Sequence, residues 1–265
     1  MQGATSAIAP VVVLRSQAVG DSDLIVSLLS PQTGRFDAHA RAARKSKTRF
    51  GSGLLRPFVE LEVTVAPPRK GQLPQLQSAA MLRDLLGGAP SYPQLCVASY
   101  ANELAAQAAQ PGHADAPLYA WLCAAVTACA LAAEATLPRL IAAVLAGFLG
   151  ATGLLPDLLR CARCDRPLQP AGHWSADAMG LGCTNCAQGA QQWVQAADLQ
   201  ALHAAARQGS AAPLQQVDEA TVALLTDRLQ RLIDHTVHGQ LRSAKALHQL
   251  LRPVSGDTLP AQATP

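Results

Sequence analysis

The chain carries two short cysteine pairs, Cys161–Cys164 (CARC) and Cys183–Cys186 (CTNC), with 18 residues between them. This C-x2-C-x18-C-x2-C spacing is typical of a tetrathiolate zinc site, because two residues between thiols let one tight turn aim both sulfurs at one ion. Gly172, Gly180 and Gly189 lie between and beside the pairs and permit sharp reversals. Four thiolates complete a tetrahedron, so Cys161, Cys164, Cys183 and Cys186 are predicted to hold a structural Zn²⁺ with no open coordination position.

Other interpretations of the cysteine pairs stay open at this point. Two disulfides would require an oxidising compartment, and a redox site would require a single C-x-x-C in a βαβ context. A metal site that has lost its ion, or chance pairing, would leave the same spacing. The remaining cysteines, Cys96, Cys123 and Cys129, lie in Ala-rich stretches and are interpreted as small buried hydrophobes. His173 is interpreted as a surface turn residue.

Composition is typical of a globular protein of one large or two modest domains. The chain has 265 residues, of which 49% are hydrophobic and 15% are charged. An odd count of seven cysteines and the absence of a secretory signal pattern indicate a reducing, cytoplasmic location. Leu140–Leu155 lacks charge but is shorter than the roughly 18–20 residues that span a bilayer. We therefore expect a buried core helix there and no membrane association.

The pattern of hydrophobic residues predicts an α+β chain. Five short strands are predicted in the first 82 residues, which indicates a five-stranded OB-type β-barrel. The expected strands cover Val11–Leu14, Leu24–Leu29, Arg35–Ala40, Phe58–Val65 and Leu73–Ala80. Helices are expected over Tyr92–Gln110, Leu118–Ala135, Pro138–Gly150, Asp198–Arg207 and Val217–Leu251. The predicted domains are a nucleic-acid-binding barrel at 1–82, a helical domain at 83–252 with a zinc module inserted at about 158–194, and a disordered tail at 253–265.

Positive charge is concentrated near the start of the chain. Residues 1–85 contain 11 Lys/Arg and 6 Asp/Glu, a balance of +5, so the other 180 residues contribute −2 to the total of +3. Six of these cations fall within sixteen residues, and no acidic residue occurs from Ala38 to Val59. They are Arg41, Arg44, Lys45, Lys47, Arg49 and Arg56. Such a run is often only a solvated surface loop, but on an OB-type barrel it indicates phosphate binding.

The barrel half offers few aromatic side chains for stacking on bases. Its three phenylalanines are Phe36, Phe50 and Phe58, and at least one or two of them are expected in the core. We therefore expect sequence-independent binding dominated by the phosphate backbone, with less stacking than in a dedicated single-strand binder.

Several segments, taken in order, resemble the RecO family of bacterial recombination mediators. They are Gly34–Phe36 (GRF), Arg41–Gly51 (RAARKSKTRFG), Leu55–Phe58 (LRPF) and Phe148–Leu158 (FLGATGLLPDL), the last running into Cys161. The resemblance covers nearly the whole chain. One departure is Ala42, because the family usually has Gly in this loop and a side chain disfavours positive φ.

The resemblance implies a non-enzymatic role in recombinational DNA repair. Family members bind single- and double-stranded DNA, anneal complementary strands and contact the single-strand-binding protein SSB. With RecR they help RecA replace SSB. Carried over, the DNA contacts fall on the six cations named above, with Arg56 the least certain, and the metal ligands on the four paired cysteines. An acidic, hydrophobic-ended SSB tail would suit a basic-rimmed apolar groove on the helical domain. Candidate cations there are Arg228, Arg231, Arg242 and Lys245, although exposed helix charges are common.

Two other function classes compete with this interpretation. A zinc-dependent nucleobase deaminase would need an H-x-E motif, and none occurs among the seven histidines. A nucleotide-hydrolysing P-loop is also absent from the sequence. A zinc-ribbon or OB-type nucleic-acid-binding protein of transcription or translation would share the metal and the charge, and only the RecO-like order of segments disfavours it.

Overall fold

A closed five-stranded barrel forms the first part of the chain. The computed structural model describes residues 5–46, 48–51, 53–68, 71–174, 180–190, 192–237, 239 and 241–251. The barrel strands are β1 (Ser6–Val19), β2 (Asp23–Ser30), β3 (Gly34–Ala40), β4 (Val59–Ala66) and β5 (Gln75–Asp84). They pair in the order β1-β2-β3-β5-β4, and β1 closes the barrel against β4. The neighbours are antiparallel except for β3 and β5, which meet in parallel at His39 and Gln75. This confirms the predicted OB-type barrel.

The middle of strand β1, Val11–Leu14, is buried on both faces, which explains its unbroken apolar run. Val11 and Val13 point into the barrel, whereas Val12 and Leu14 belong to the core shared with the helices. A strand covered on both sides loses the alternation that marks a half-exposed strand. The sequence predicted only these four residues of a strand that has 14, because the residues on either side of them are exposed or half-buried and form no continuous apolar run.

Strand β4 has the predicted alternation, but one of its acidic residues is buried. Val59, Leu61 and Val63 face the barrel interior. Glu60 lies on the opposite face with 4% of its surface exposed, and its carboxylate accepts hydrogen bonds from the Tyr119 hydroxyl and the Arg83 guanidinium. The barrel and the helices are therefore joined by a buried polar contact as well as by apolar packing.

The second part of the chain contains six helices in the described ranges. They are α1 (Tyr92–Ala108), α2 (Ala116–Leu131), α3 (Leu137–Ala151), α4 (Ala196–Gln208), α5 (Glu219–Thr236) and α6 (Ala244–Leu251). The first four match the predicted helices, but the prediction of one helix over Val217–Leu251 is wrong. The helix ends at Thr236, where Val237 is extended. The Ser243 N–H and hydroxyl then donate to the Glu103 carboxylate, which fixes the chain where α6 begins.

Helix α3 lies in the middle of the helical part. By length and composition alone, Glu134–Ala151 would suffice to cross a membrane, but 61% of it is buried inside the protein. It packs against α2, α4 and α5, which confirms the prediction of a buried core helix. Cys96, Cys123 and Cys129 are also buried, as predicted.

A small module interrupts the helical part between α3 and α4. Its strands β6 (Ala171–Trp174), β7 (Leu181–Cys183) and β8 (Val194–Gln195) form one sheet in the order β7-β6-β8. The division into domains at 1–82 and 83–252 stays a prediction, since the barrel and the helices share one apolar core. The predicted tail at 253–265 lies outside the described residues.

Candidate metal centre and basic loop

The four paired cysteines converge on one point. Their sulfur atoms all lie within 4.8 Å of one another, and the Cys164 and Cys183 sulfurs are 3.7 Å apart. Zn–S bonds of about 2.3 Å in a tetrahedron place sulfurs about 3.8 Å apart, so the donor set fits zinc. A disulfide requires about 2.05 Å between sulfurs. The arrangement therefore suits one metal ion rather than two disulfides.

Tight turns aim each pair of sulfurs. In the first turn the Asp165 N–H donates to the Cys161 carbonyl at 2.9 Å, and Asp165 adopts a left-handed φ of 58°. In the second turn the N–H groups of Cys186 and Ala187 both donate to the Cys183 carbonyl at 3.0 Å. Two intervening residues are thus enough to bring both thiols of a pair to the same side of the chain.

Backbone N–H groups favour the thiolate form of two of the four cysteines, Cys161 and Cys183. Burial opposes ionisation of Cys161, but backbone N–H groups of Cys183, Arg163 and Cys164 lower its pKa to about 6. The pKa of Cys183 is lowered chiefly by the Cys186 N–H, whereas hydrogen bonds to Cys164 and Cys183 raise the pKa of Cys186 to about 12. A metal ion would displace the remaining protons on binding.

The four-cysteine module packs closely against the helical core. Cys161 and Cys183 belong to the main apolar core, together with Leu199 of α4. A Cβ at Gly172 would lie 3.0 Å from Leu199, so β6 packs closely on α4. The interpretation of His173 as a turn residue is wrong, because it lies in β6. It is half-buried there, and its Nδ1 contacts the Gln192 carbonyl at 2.6 Å.

Four of the six predicted cations lie in a turn directly after β3. We call residues 41–49 the basic loop; within it the side chains of Arg41, Arg44, Lys45 and Arg49 are exposed. Lys47 lies outside the described residues. The structure thus places four of the six predicted side chains together on one surface turn.

The basic loop is pinned at both ends. At its start, Ala43 is buried in the barrel core and the Arg44 N–H donates to the Ser22 carbonyl at 3.0 Å. At its end, Phe50 is buried, and the Ala79 N–H on β5 donates to the Arg49 carbonyl at 3.1 Å. Both ends of the loop are therefore fixed, although the charges of Arg41, Arg44, Lys45 and Arg49 face water.

Ala42 keeps the left-handed backbone that glycine would adopt freely. Its φ is 51°, which costs an L-residue roughly 1–2 kcal/mol. The Ala42 N–H donates to the Asp23 carboxylate at 2.8 Å. Ala42 therefore adopts positive φ despite its side chain, and the hydrogen bond offsets part of the strain.

Arg56 differs from the other predicted cations. It lies outside the basic loop, and its guanidinium forms an ion pair with Asp84 at the end of β5. An ion-paired guanidinium contributes less positive potential than a free one. Arg56 is therefore the weakest of the predicted phosphate contacts.

The barrel presents no aromatic platform in the part of it that the structure describes. Phe50 and Phe58 are buried, and Phe36 packs against the barrel core. The outward positions of β2 and β3 instead carry polar contacts such as that between Ser27 and Asp37. This arrangement favours binding of phosphates over stacking of bases.

The helical part has a cleft that is lined by both apolar and charged side chains. It has a volume of about 770 Å³, with Trp121 and Leu155 in its wall. Arg160, His203 and Arg207 also line it. Sequence reasoning missed these cations, because no local pattern brings residue 160 near residue 207.

The predicted groove cations of α5 lie elsewhere. Arg231 forms an ion pair with Asp227 one helical turn away, and Arg228 donates to Gln192. Neither lines the cleft beside Trp121, so the assignment of an SSB contact to these α5 cations stays a prediction.

A basic-looped OB-type barrel joined to a helical part with a four-cysteine module defines a recognisable class of protein. The family model for the N-terminal part of recombination protein O matches residues 5–84, and that for its C-terminal part matches residues 90–245. The chain therefore belongs to the recombination protein O (RecO) family, and this membership supports a role in DNA repair and recombination.

Individual relatives agree with the family assignment. The chain is 31% identical over 251 residues to the DNA repair protein RecO of Anaeromyxobacter sp. (strain Fw109-5), covering 92% of this chain and 96% of the relative. It is 33% identical over 179 residues to the DNA repair protein RecO of Anaeromyxobacter sp. (strain K), covering 67% of this chain and 69% of the relative.

Proposed function

We propose that this chain is a non-enzymatic, cytoplasmic, nucleoid-associated mediator of recombinational repair in bacteria. It binds single- and double-stranded DNA, anneals complementary strands and, with RecR, helps RecA displace SSB. The observation that supports this most directly is the basic loop, whose exposed cations project from a backbone fixed at both ends. Family membership disfavours the alternative of a transcription or translation factor.

The basic loop binds DNA through phosphates. The positive charge comes from Arg41, Arg44, Lys45, Lys47 and Arg49. No phenylalanine is exposed on the described barrel surface, so no aromatic side chain there stacks on the bases. Backbone contacts of this kind hold two strands equally well whatever their sequence. Annealing then follows because charge on the protein offsets repulsion between the approaching strands.

Zn²⁺ is the metal that suits the four cysteines. Cys161, Cys164, Cys183 and Cys186 would hold it, and the ion would crosslink the two turns of the module. Four thiolates leave no position for a reacting water. Its role is therefore structural, and DNA binding needs no chemistry from it.

SSB is proposed to bind the cleft beside Trp121. An acidic, hydrophobic-ended tail would place its apolar end against Trp121 and Leu155 and its carboxylates against Arg160 and Arg207. We expect Arg207→Ala to weaken binding of an SSB tail peptide at least about fivefold, with Arg231→Ala, whose partner is Asp227, as the matched control. Equal affinities of the two variants would remove the cleft from the proposal.

Strand annealing tests the proposed function as a whole. Complementary oligonucleotides coated with SSB are mixed without nucleotide, and duplex formation is followed by fluorescence transfer between end labels. We expect the protein to accelerate annealing and the Arg44→Ala/Lys45→Ala variant to lose most of that acceleration. No acceleration by the wild-type protein, or sequence-selective binding, would refute the mediator function.

A further inference from the structure

The carboxylate of Asp23 is one of the groups that hold the start of the basic loop. One oxygen of Asp23, the first residue of β2, accepts the Ala42 N–H at 2.8 Å. The preceding residue, Ser22, accepts the Arg44 N–H at its carbonyl at 3.0 Å. The turn then closes on itself, because the N–H groups of Lys45 and Ser46 both donate to the Ala42 carbonyl. The backbone of Arg44 and Lys45 is thus fixed by contacts that begin at residues 22 and 23.

The orientation of Asp23 is itself fixed by a histidine at the barrel seam. The other carboxylate oxygen of Asp23 lies 2.9 Å from His39 Nε2, and His39 Nδ1 lies 3.2 Å from the Gln75 amide nitrogen. An amide NH₂ only donates, so Nδ1 is the acceptor and the ring proton sits on Nε2, facing Asp23. His39 and Gln75 are also the residues at which β3 meets β5. The loop is therefore tied to the closure of the barrel.

The charge of Asp23 has the wrong sign for a residue beside a phosphate-binding loop. Its side chain is 29% exposed, and a carboxylate there repels a polyanion. We propose that Asp23 is a positioning residue for DNA binding, which holds Ala42 left-handed so that Arg44 and Lys45 share one surface. This inference rests on the proposed function of the basic loop.

Electrostatics and positioning predict opposite effects of removing this carboxylate. If only charge matters, Asp23→Ala tightens binding to single-stranded DNA. If Asp23 positions the loop, Asp23→Ala weakens binding about three- to tenfold, as loss of a charge-assisted hydrogen bond would. Asp37→Ala is the matched control, because Asp37 is an exposed carboxylate on β3 whose contact is with Ser27 rather than with the loop. We expect it to bind as the wild type does or up to about twofold tighter.

A rescue variant separates positioning from a general loss of structure. Glycine adopts positive φ without strain, so Asp23→Ala/Ala42→Gly should recover the affinity that Asp23→Ala loses. Asp23→Asn, which keeps an oxygen to accept the Ala42 N–H, should fall between Asp23→Ala and the wild type. Hydrogen exchange at residues 41–46, measured without DNA, should be faster in Asp23→Ala and unchanged in Asp37→Ala.

The full-length variants are compared by fluorescence anisotropy with a labelled single-stranded oligonucleotide, beside Arg44→Ala/Lys45→Ala. If that double variant weakens binding while Asp23→Ala binds as tightly as Asp37→Ala, the positioning role is overturned and the proposed function stands. If Arg44→Ala/Lys45→Ala leaves binding intact, both are overturned. If Asp23→Ala alone does not fold, Asp23→Ala/Ala42→Gly carries the test. Affinity of that rescue variant no better than that of Arg44→Ala/Lys45→Ala overturns the inference.

Discussion

Replacing Tyr119 by phenylalanine tests how the barrel is held against the helices. The Tyr119 hydroxyl on α2 donates to the Glu60 carboxylate on β4, and the two residues have 7% and 4% of their surfaces exposed. Tyr119→Phe keeps the ring and its packing but removes the donor. The carboxylate then retains only the contact with Arg83.

The expected cost follows from the burial of this contact. A hydrogen bond to a charged group contributes roughly 1.5–3 kcal/mol. The remaining pair cannot compensate, because the Arg83 side chain is 60% exposed and solvent screens it. For a chain of this size, about 2–4 °C in Tm accompanies each kcal/mol, so we expect Tyr119→Phe to melt roughly 3–12 °C lower at pH 7.

The difference in Tm between the wild type and Tyr119→Phe should depend on pH. Burial raises the pKa of Glu60, but hydrogen bonds from Arg83 and Tyr119 outweigh it and hold the pKa below the ordinary 4.5. The stabilisation is therefore present above pH 4.5 and lost as pH falls through the lowered pKa. Burial and the contact with Glu60 raise the pKa of Tyr119 above the ordinary 10.0, so its contribution is complete below pH 10 and lost as pH rises through the raised pKa.

The assay is thermal unfolding of both proteins from pH 3 to pH 11, with Tyr92→Phe as the control because Tyr92 is 65% exposed. We expect the Tm difference to be largest between about pH 5 and pH 9 and to shrink on both sides. A Tyr119→Phe protein as stable as Tyr92→Phe at pH 7, or a difference that does not change with pH, would refute the reasoning.

Three further predictions concern the metal, Arg56 and the barrel. Cys183→Ala should lose bound zinc, measured by elemental analysis, and melt earlier, while its soluble fraction still binds DNA. Arg56→Ala should weaken DNA binding less than Arg44→Ala, because Arg56 is held in an ion pair. Gly34→Ala should unfold the chain far more readily than Gly53→Ala in denaturant titrations. Both glycines have positive φ, but a Cβ at Gly34 would lie 2.0 Å from a backbone oxygen, whereas Gly53 faces open space.

Each of these predictions has a contradicting outcome. Wild-type stability without zinc would show that the cysteines need no ion. Equal losses of affinity in Arg56→Ala and Arg44→Ala would show that the ion pair opens to bind DNA. Equal denaturation midpoints for the two glycine variants would show that the turn beside Gly34 moves aside at no cost.

The sequence predicted the metal site and the strands of the barrel, because each of them is marked by a local pattern of residues. The spacing of Cys161, Cys164, Cys183 and Cys186 limits their geometry so tightly that the structure brings their sulfurs together as expected. All five strands were found as well, although β1 was shortened to Val11–Leu14 because its two ends are exposed or half-buried and lack an apolar pattern.

Features that depend on distant contacts escaped prediction. Glu60 has the pattern of an exposed strand residue, and its burial depends on Tyr119, 59 positions away. The start of α6 is likewise anchored from a distance, because Ser243 donates to Glu103 on another helix. The cations of the cleft come from separate segments in the same way. The DNA-binding assignment of the basic loop stays a prediction.

The salt dependence of DNA affinity tests the central claim most directly. If Arg41, Arg44, Lys45, Lys47 and Arg49 all meet phosphates, log K for single-stranded DNA should fall against log salt with a slope of roughly −3 to −4. Arg44→Ala/Lys45→Ala should flatten that slope by about 1.4 and weaken binding to all sequences alike. A slope near zero in the wild type, or one that the double variant leaves unchanged, would contradict the claim.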